Sequence, residues 1–385
     1  MTDSEGVPAF VRRYAKTWVH ALATAAMTAF GTLTVVDNRF AALAIAAYVL
    51  PPVALYLRGR DGSRTSGRDG PATAAGERAD SEGGDRAGGD AAEPRERAAW
   101  TAATVPTTAT LHDAAVGASG AYAVGEGGVV LADDGDGWTV ALPDGPSADG
   151  ASLRAADAAG DAVWVAGDGG ALGRLAGATG RHTDHSAPAG DTTNLVAVAA
   201  TETGDGETVL VADGGGRVRR GVFRAGELAW DDPSTPGSGA SVAGLTLAGE
   251  AGYLCDTAGA VFETTDGGRS FVRVGIEGVE GTPSDVGGAG VVATDAGVCY
   301  RHDGGGWTPD RLGEAALTGV ETGGDRWLAA AADGAVFERD GGGWTRTVTP
   351  ASGLAGIAAG GERALAVGES GTVVERGSTV TPPRS

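Results

Sequence analysis

Apolar and polar positions fall into three regimes along the chain. The first holds two long apolar runs: residues 17–36 carry no formal charge at neutral pH across twenty positions, and residues 40–57 continue for eighteen more. At about 1.5 Å per helical residue, each run reaches across a hydrocarbon core about 30 Å thick. Only Asp37, Asn38 and Arg39 separate them. The pattern therefore predicts an α-helical transmembrane hairpin over residues 17–57, entering the lipid bilayer behind a polar leader at residues 1–16. A cleaved signal peptide is the competing reading of the first run. Its length, the lack of a small-x-small site at its end and the second run directly behind it stand against cleavage. Pro51 and Pro52 predict a kink in the second helix.

The second regime, residues 58–99, is dominated by Gly, Ala, Asp, Glu, Arg and Ser before an aromatic appears at Trp100. Such a stretch buries too little apolar surface to offset its ordering entropy, which predicts a disordered linker. Arg12, Arg13 and Lys16 precede the hairpin, Arg58, Arg60, Arg64 and Arg68 follow it, and Arg39 alone lies inside. This asymmetry predicts both outer ends, and the domain that follows, on the cytoplasmic side of the cell membrane.

From Trp100 the pattern turns to short strands repeating at roughly 30 to 43 residues. Units begin near Leu111, Leu153, Leu195, Val242, Ser284, Leu317 and Leu354, which makes seven. Each has an apolar start, an alternating strand, a Gly-rich turn, a second strand, a DGG-aromatic turn and a last strand. YAVGEGGVV from Tyr122, VWVAGDGGAL from Val163 and ALAVGESGTVV from Ala364 represent the expected inner strands. The hairpin aromatics recur as Trp138, Trp230, Phe271, Trp307 and Trp344, and are missing from the second and seventh units. The fold class expected for residues 100–385 is all-β, a seven-bladed β-propeller. WTAATVP from Trp100 matches WTVALP from Trp138 yet stands before the first unit, while the last unit keeps only STVTPP after GTVVERG. Two closures follow. Either the N-terminal strand pairs beside residues 371–375, the economical reading that exposes no long sheet edge, or STVTPP completes the last sheet.

The best-formed turn lies in GAVFETTDGGRSFVRV, residues 259–274. Thr264, Asp266, Gly268, Ser270 and Phe271 fit the pattern hydroxyl-x-Asp-x-Gly-x-hydroxyl-aromatic, in which the Asp bonds backbone amides across the turn and the Gly takes positive φ. This resembles the Asp-box of the BNR (bacterial neuraminidase) repeat. The surrounding unit resembles the WD40/YVTN/BNR-like propellers of the photosystem II stability/assembly factor-like family. The resemblance implies a propeller whose box is a structural fastener. In the photosynthetic members it implies an assembly chaperone for a membrane complex.

Acidic residues outnumber basic ones by 50 to 29, for a net charge of −21, and Lys16 is the lone lysine. Such a surface repels nucleic acid. With the Ala and Gly abundance it suggests a salt-adapted, haloarchaeal source, against the alternative of an acidic mesophilic protein. Cys255 and Cys299 sit in predicted strands without metal-binding spacing and are expected to be small buried hydrophobes.

The chain offers little catalytic chemistry. The Arg-Ile-Pro signature that sialidases carry beside Asp-boxes is missing, and no carboxylate stands in an apolar setting that would raise its pKa for glycoside hydrolysis. Asp133, Asp134 and Asp136 offer oxygens to calcium, but the twelve-residue loop with its terminal Glu is missing. His182, Asp184 and His185 lack a further zinc ligand nearby. No catalytic residue, metal or cofactor is expected. Arg217, Arg219, Arg220 and Arg224 form the local basic cluster and the candidate partner-docking patch. The expectation is a membrane-anchored, non-catalytic scaffold for a protein partner, with a membrane complex among the candidates. The alternative is a propeller hydrolase or lyase acting on saccharide at the axial mouth. An enzyme would bring acids, aromatics and Arg together there.

Overall fold

Six repeat units fold into four antiparallel strands each, the seventh into three that the N-terminal strand completes, and the seven sheets form a closed β-propeller among the described residues. The structure, a computed structural model, describes residues 99–377 apart from residues 178, 205, 277, 305, 324 and 325. The expected leader, transmembrane hairpin and linker up to residue 98 lie outside the described residues. Among the described residues, no helix is long and apolar enough to cross a membrane.

Blade 1 runs outward through Leu111–Gly117, Gly120–Gly125, Val130–Asp133 and Thr139–Leu142. Blades 2 to 6 repeat the order at residues 153–184, 195–230, 242–273, 283–311 and 317–348. Blade 7 contributes three strands, Leu354–Gly360, Arg363–Gly368 and Thr372–Arg376, and Trp100–Ala102 supplies its fourth. The register is Trp100 opposite Arg376, Thr101 opposite Glu375 and Ala102 opposite Val374. Of the two expected closures, the N-terminal strand is the one observed.

The expected inner strands need correction. YAVGEGGVV and its copies cover the second strand and the start of the third, as Tyr122 on Gly120–Gly125 and Val163 on Ala162–Gly167 show. The innermost strands are the unit starts themselves, each packed on the first strand of the next blade and the seventh on the first. Second strands are buried on both faces between neighbouring blades, so they read as continuous apolar runs. First strands turn one face to the axis, where those of blades 1, 2, 4, 5 and 6 carry Asp, Thr or Glu, which weakens their strand pattern. All seven first strands shift register after their first residue, between Leu111 and Asp113 in blade 1 and at the equivalent place in each other blade.

The core is divided among the seams. Each of seven buried clusters joins one pair of neighbouring blades. The recurring aromatics explain the DGG turn: Trp138, Trp230, Phe271, Trp307 and Trp344 each pack into the seam with the preceding blade. Trp100 does the same for blade 7 against blade 6. Cys255 and Cys299 are free and buried in the seams flanking blade 5, and burial raises both thiols.

Candidate functional site

The seven first strands enclose an axial cavity of about 280 Å³. Its walls are Ala, Val, Leu, Ile, Gly and Thr with four carboxylates, Asp113, Asp157, Asp285 and Glu321. Asp113 accepts from the backbone N–H of Ala114 at 2.8 Å on its own strand and from that of Ala156 on blade 2 at 2.9 Å. Asp157 does likewise with Ala158 (2.8 Å) and Ala200 of blade 3 (2.7 Å). Asp285 accepts from Val286 and from Val320 of blade 6, both at 2.8 Å. Each aspartate thus ties one blade to the next through donors that the sheet ladder leaves over. Among the described residues, Glu321 accepts from Thr322 N–H alone, at 2.8 Å. Gly356 of blade 7 lies so close to blade 1 that a Cβ there would stand 3.0 Å from the Asp113 Cα.

Burial pushes the Asp113 carboxyl up to about 8, with Asp285 and Asp157 adding to the rise against the two N–H bonds. Burial likewise carries Asp157 and Asp285 to about 7, and Glu321 to about 8 with help from Asp157. The expectation that no carboxylate would sit in a setting that raises its pKa is thereby corrected. The apolar walls come from strands far apart in sequence. No Arg, Lys, His or aromatic residue lines this cavity among the described residues. The three aspartates are engaged on both oxygens and Glu321 on one, with no aromatic platform or cation beside them among the described residues.

At the outer end of blade 4, Asp266 accepts from the N–H groups of Arg269 and Ser270, both at 2.9 Å, and from the hydroxyls of Thr264 (2.9 Å) and Ser270 (2.6 Å). The Thr264 hydroxyl in turn accepts from Gly268 N–H at 2.9 Å. Gly268 has φ +82°, and a Cβ there would stand 2.5 Å from the Leu210 side chain of blade 3. The Ser270 hydroxyl, with the amides of Ser270 and Arg269, holds the Asp266 carboxyl down at about 2. Phe271 packs against the seam between blades 3 and 4.

The four arginines of blade 3 do not share a face. Arg217 pairs with Asp213 at 2.7 Å and Asp191 at 2.9 Å, and with Arg219 it borders a pocket formed with the loop from blade 2. Arg220 is buried, donating to the Gly267 carbonyl at 2.9 Å and to Asp231 at 2.8 Å. With Arg224 it borders the groove toward blade 4. The strand period of two separates what looks contiguous in sequence.

A denser basic surface arises where sequence reading did not place one, in the groove between blades 5 and 6. Arg301, Arg311, Arg339 and Arg346 converge there with Phe337 and Trp344. Arg301 and the Trp344 indole N–H both reach Asp310, at 2.6 and 3.1 Å. Arg339 lies 4.7 Å over the ring of Trp327, which sits 6.5 Å from Trp344. Arg346 pairs with the exposed Asp333 at 2.8 Å, and Arg311 pairs with Glu280. The signal was present as arginines flanking two consecutive DGGGW turns, Arg301 to Arg311 and Arg339 to Arg346. Only the ring brings those two turns together.

Asp133 accepts from Gly135 and Gly137 N–H at 2.8 and 3.0 Å and pairs with Arg363. His185 stacks on Trp164 with centroids 5.3 Å apart and meets Phe223 edge-on, while burial lowers both His182 and His185. Neither group gathers metal ligands among the described residues.

No family model matches the chain, and no curated protein matches it. Solved structures do. YCF48 from Cyanidioschyzon merolae superposes with a TM-score of 0.56 at 16% identity, over 72% of this chain and 98% of its own. YCF48 bound to a D1 peptide gives 0.57 at 14%, over 72% and 97%. The WD40 propeller domain of Doa1 gives 0.53 at 11%, over 72% and 96%. At these identities the likeness establishes the fold.

Proposed function

We propose that the chain is a membrane-anchored, non-catalytic scaffold that docks a protein partner through the rim of its propeller. The axial cavity carries this reading: its aspartates are engaged as ties between blades, and no arginine or aromatic side chain meets them among the described residues. The rim instead gathers arginine and aromatic side chains between blades 5 and 6, a composition suited to protein contacts. A YCF48 structure holding a D1 peptide is among the similar folds, which supports partner binding without naming this chain's partner. In this proposal the Asp266 turn is a fastener of the Asp-box type, residues 17–57 anchor the chain, and the propeller faces the cytoplasm of a salt-adapted cell.

The test pairs charge reversal at Arg339 and Arg346 (Arg339→Glu with Arg346→Glu) with a control, Arg217→Glu. Partners are purified from native membranes in high salt. The proteins retained by wild type and control are expected to be lost from the groove variant. Equal retention by all three overturns the assignment of the groove. Protease added to intact cells checks sidedness, since digestion of the propeller without lysis places it outside.

A further inference from the structure

The outermost strand of each sheet leaves one edge of backbone N–H and C=O groups without a strand beside it among the described residues. Five of these edges are short: the outer strands of blades 1, 2 and 3 have four residues each, that of blade 4 has two and that of blade 7 three. Blades 5 and 6 carry the longer ones, Trp307–Arg311 and Trp344–Val348, with five residues each.

The ladder decides which amides face out. Thr349 N–H donates to the Gly334 carbonyl at 3.2 Å, one step beyond the pair Ala335–Val348. Bonding alternates along an antiparallel pair, so Thr345 and Thr347 turn their backbone groups inward, and Trp344, Arg346 and Val348 turn theirs to the open edge. In blade 5 the equivalent bond runs from Leu312 N–H to the Gly297 carbonyl at 2.9 Å, which puts Pro309 at the open edge. Pro309 has no N–H to offer, so that edge lacks its middle donor. Blade 6 has Arg346 at the matching position and keeps three donors in line.

The same three residues turn their side chains to one face of the sheet. Trp344 and Arg346 thereby line the groove toward blade 5, where Arg339 stacks on Trp327 and pairs with no carboxylate among the described residues. Arg346 and its partner Asp333 are 45% and 43% exposed, so water screens that pair and another carboxylate can replace it. With a net charge of −21 on the chain, an acidic segment is repelled by most of the surface and drawn to this groove. A second copy of the strand fits poorly, since antiparallel overlap of all five residues sets Arg346 against Arg346.

We propose, resting on the reading of this groove as a protein-docking site, that Trp344–Val348 takes an extended acidic segment of the partner as a fifth strand of blade 6. Backbone bonds to Trp344, Arg346 and Val348 hold the segment, and its alternate carboxylates face Arg339 and Arg346.

The experiment titrates the full chain, at fixed salt, with a synthetic peptide that alternates Glu with Thr. Amide hydrogen exchange at Trp344, Arg346 and Val348 is expected to slow on binding, with little change at Thr345 and Thr347, whose amides are already bonded. Unchanged exchange at those three amides overturns the proposal. Val348→Pro removes one outward donor at an exposed position and keeps both groove arginines, so it should bind the peptide about tenfold more weakly than wild type. Wild-type affinity in that variant overturns the fifth strand; if Arg339→Glu with Arg346→Glu still abolishes binding, the groove stands as the docking site through side chains alone. Should Val348→Pro fail to fold, the exchange pattern of the wild type decides. Protection of the three amides before peptide is added, growing with protein concentration, assigns the edge to a second copy and likewise overturns the proposal.

Discussion

Replacing Trp100 by Ala is expected to destabilise the whole ring, because this residue sits where the chain closes on itself. Its side chain is 5% exposed and packs with Leu328, Val336, Leu354 and Val374 in the seam between blades 6 and 7. Its indole N–H donates to Glu338 at 2.6 Å. Removing a buried Trp costs about 3–5 kcal/mol through lost transfer energy and the cavity left behind. Glu338 keeps its pair with Arg376 at 2.9 Å, so no orphaned charge is added and about 4 kcal/mol is the expected loss. In a domain this large each kcal/mol moves the melting temperature by about 2 °C, so Trp100→Ala should melt about 8 °C lower. Trp100→Phe keeps most of the packing and loses the N–H donor to a carboxylate, worth about 1.5 kcal/mol or about 3 °C. Val348→Ala, at a position 67% exposed on the outer strand of blade 6, serves as the control and should shift by less than about 1 °C. Thermal unfolding followed by circular dichroism reads all three. A Trp100→Ala protein melting with the Val348→Ala control would refute the reading that the N-terminal strand closes the ring.

Asp266→Ala removes the acceptor of two N–H and two hydroxyl bonds, and should cost about 1–2 kcal/mol because the site is exposed. Its depressed carboxyl contributes stability above the ordinary aspartate pKa that fades as pH falls toward about 2, so the gap between wild type and variant in an acid titration should narrow there. Arg220→Ala should cost about 1–3 kcal/mol, since it leaves the buried Gly267 carbonyl without its donor while Asp231 is exposed to water, whereas Arg217→Ala at the exposed edge should cost under about 1 kcal/mol. Equal urea midpoints for the two would contradict the separation of the basic cluster into two faces. Raising KCl from about 0.1 M to about 1 M shortens the screening length from about 10 Å to about 3 Å. With a net charge of −21, the melting temperature should rise across that range, and a flat response would exclude salt adaptation through surface charge.

What the sequence determined by itself is what repeats locally. Seven apolar unit starts and the aromatics after the DGG turns follow from short-range alternation and turn chemistry, so the blade number was legible, as was the Thr264–Asp266–Ser270 pattern. The match between the segments at Trp100 and Trp138 disclosed the closing strand for the same reason. Tertiary structure alone decided which strand faces the axis, because burial on two faces makes the second strands look like the innermost ones. It also decided how charged side chains group. Arg217 and Arg220 are three residues apart and border different grooves, while Arg301 and Arg346 are brought together by packing blade 5 on blade 6. Asp113, Asp157, Asp285 and Glu321 read as four unrelated acids on separate units. They become one cavity only when the ring closes, since distance along the chain carries no information about position around the axis.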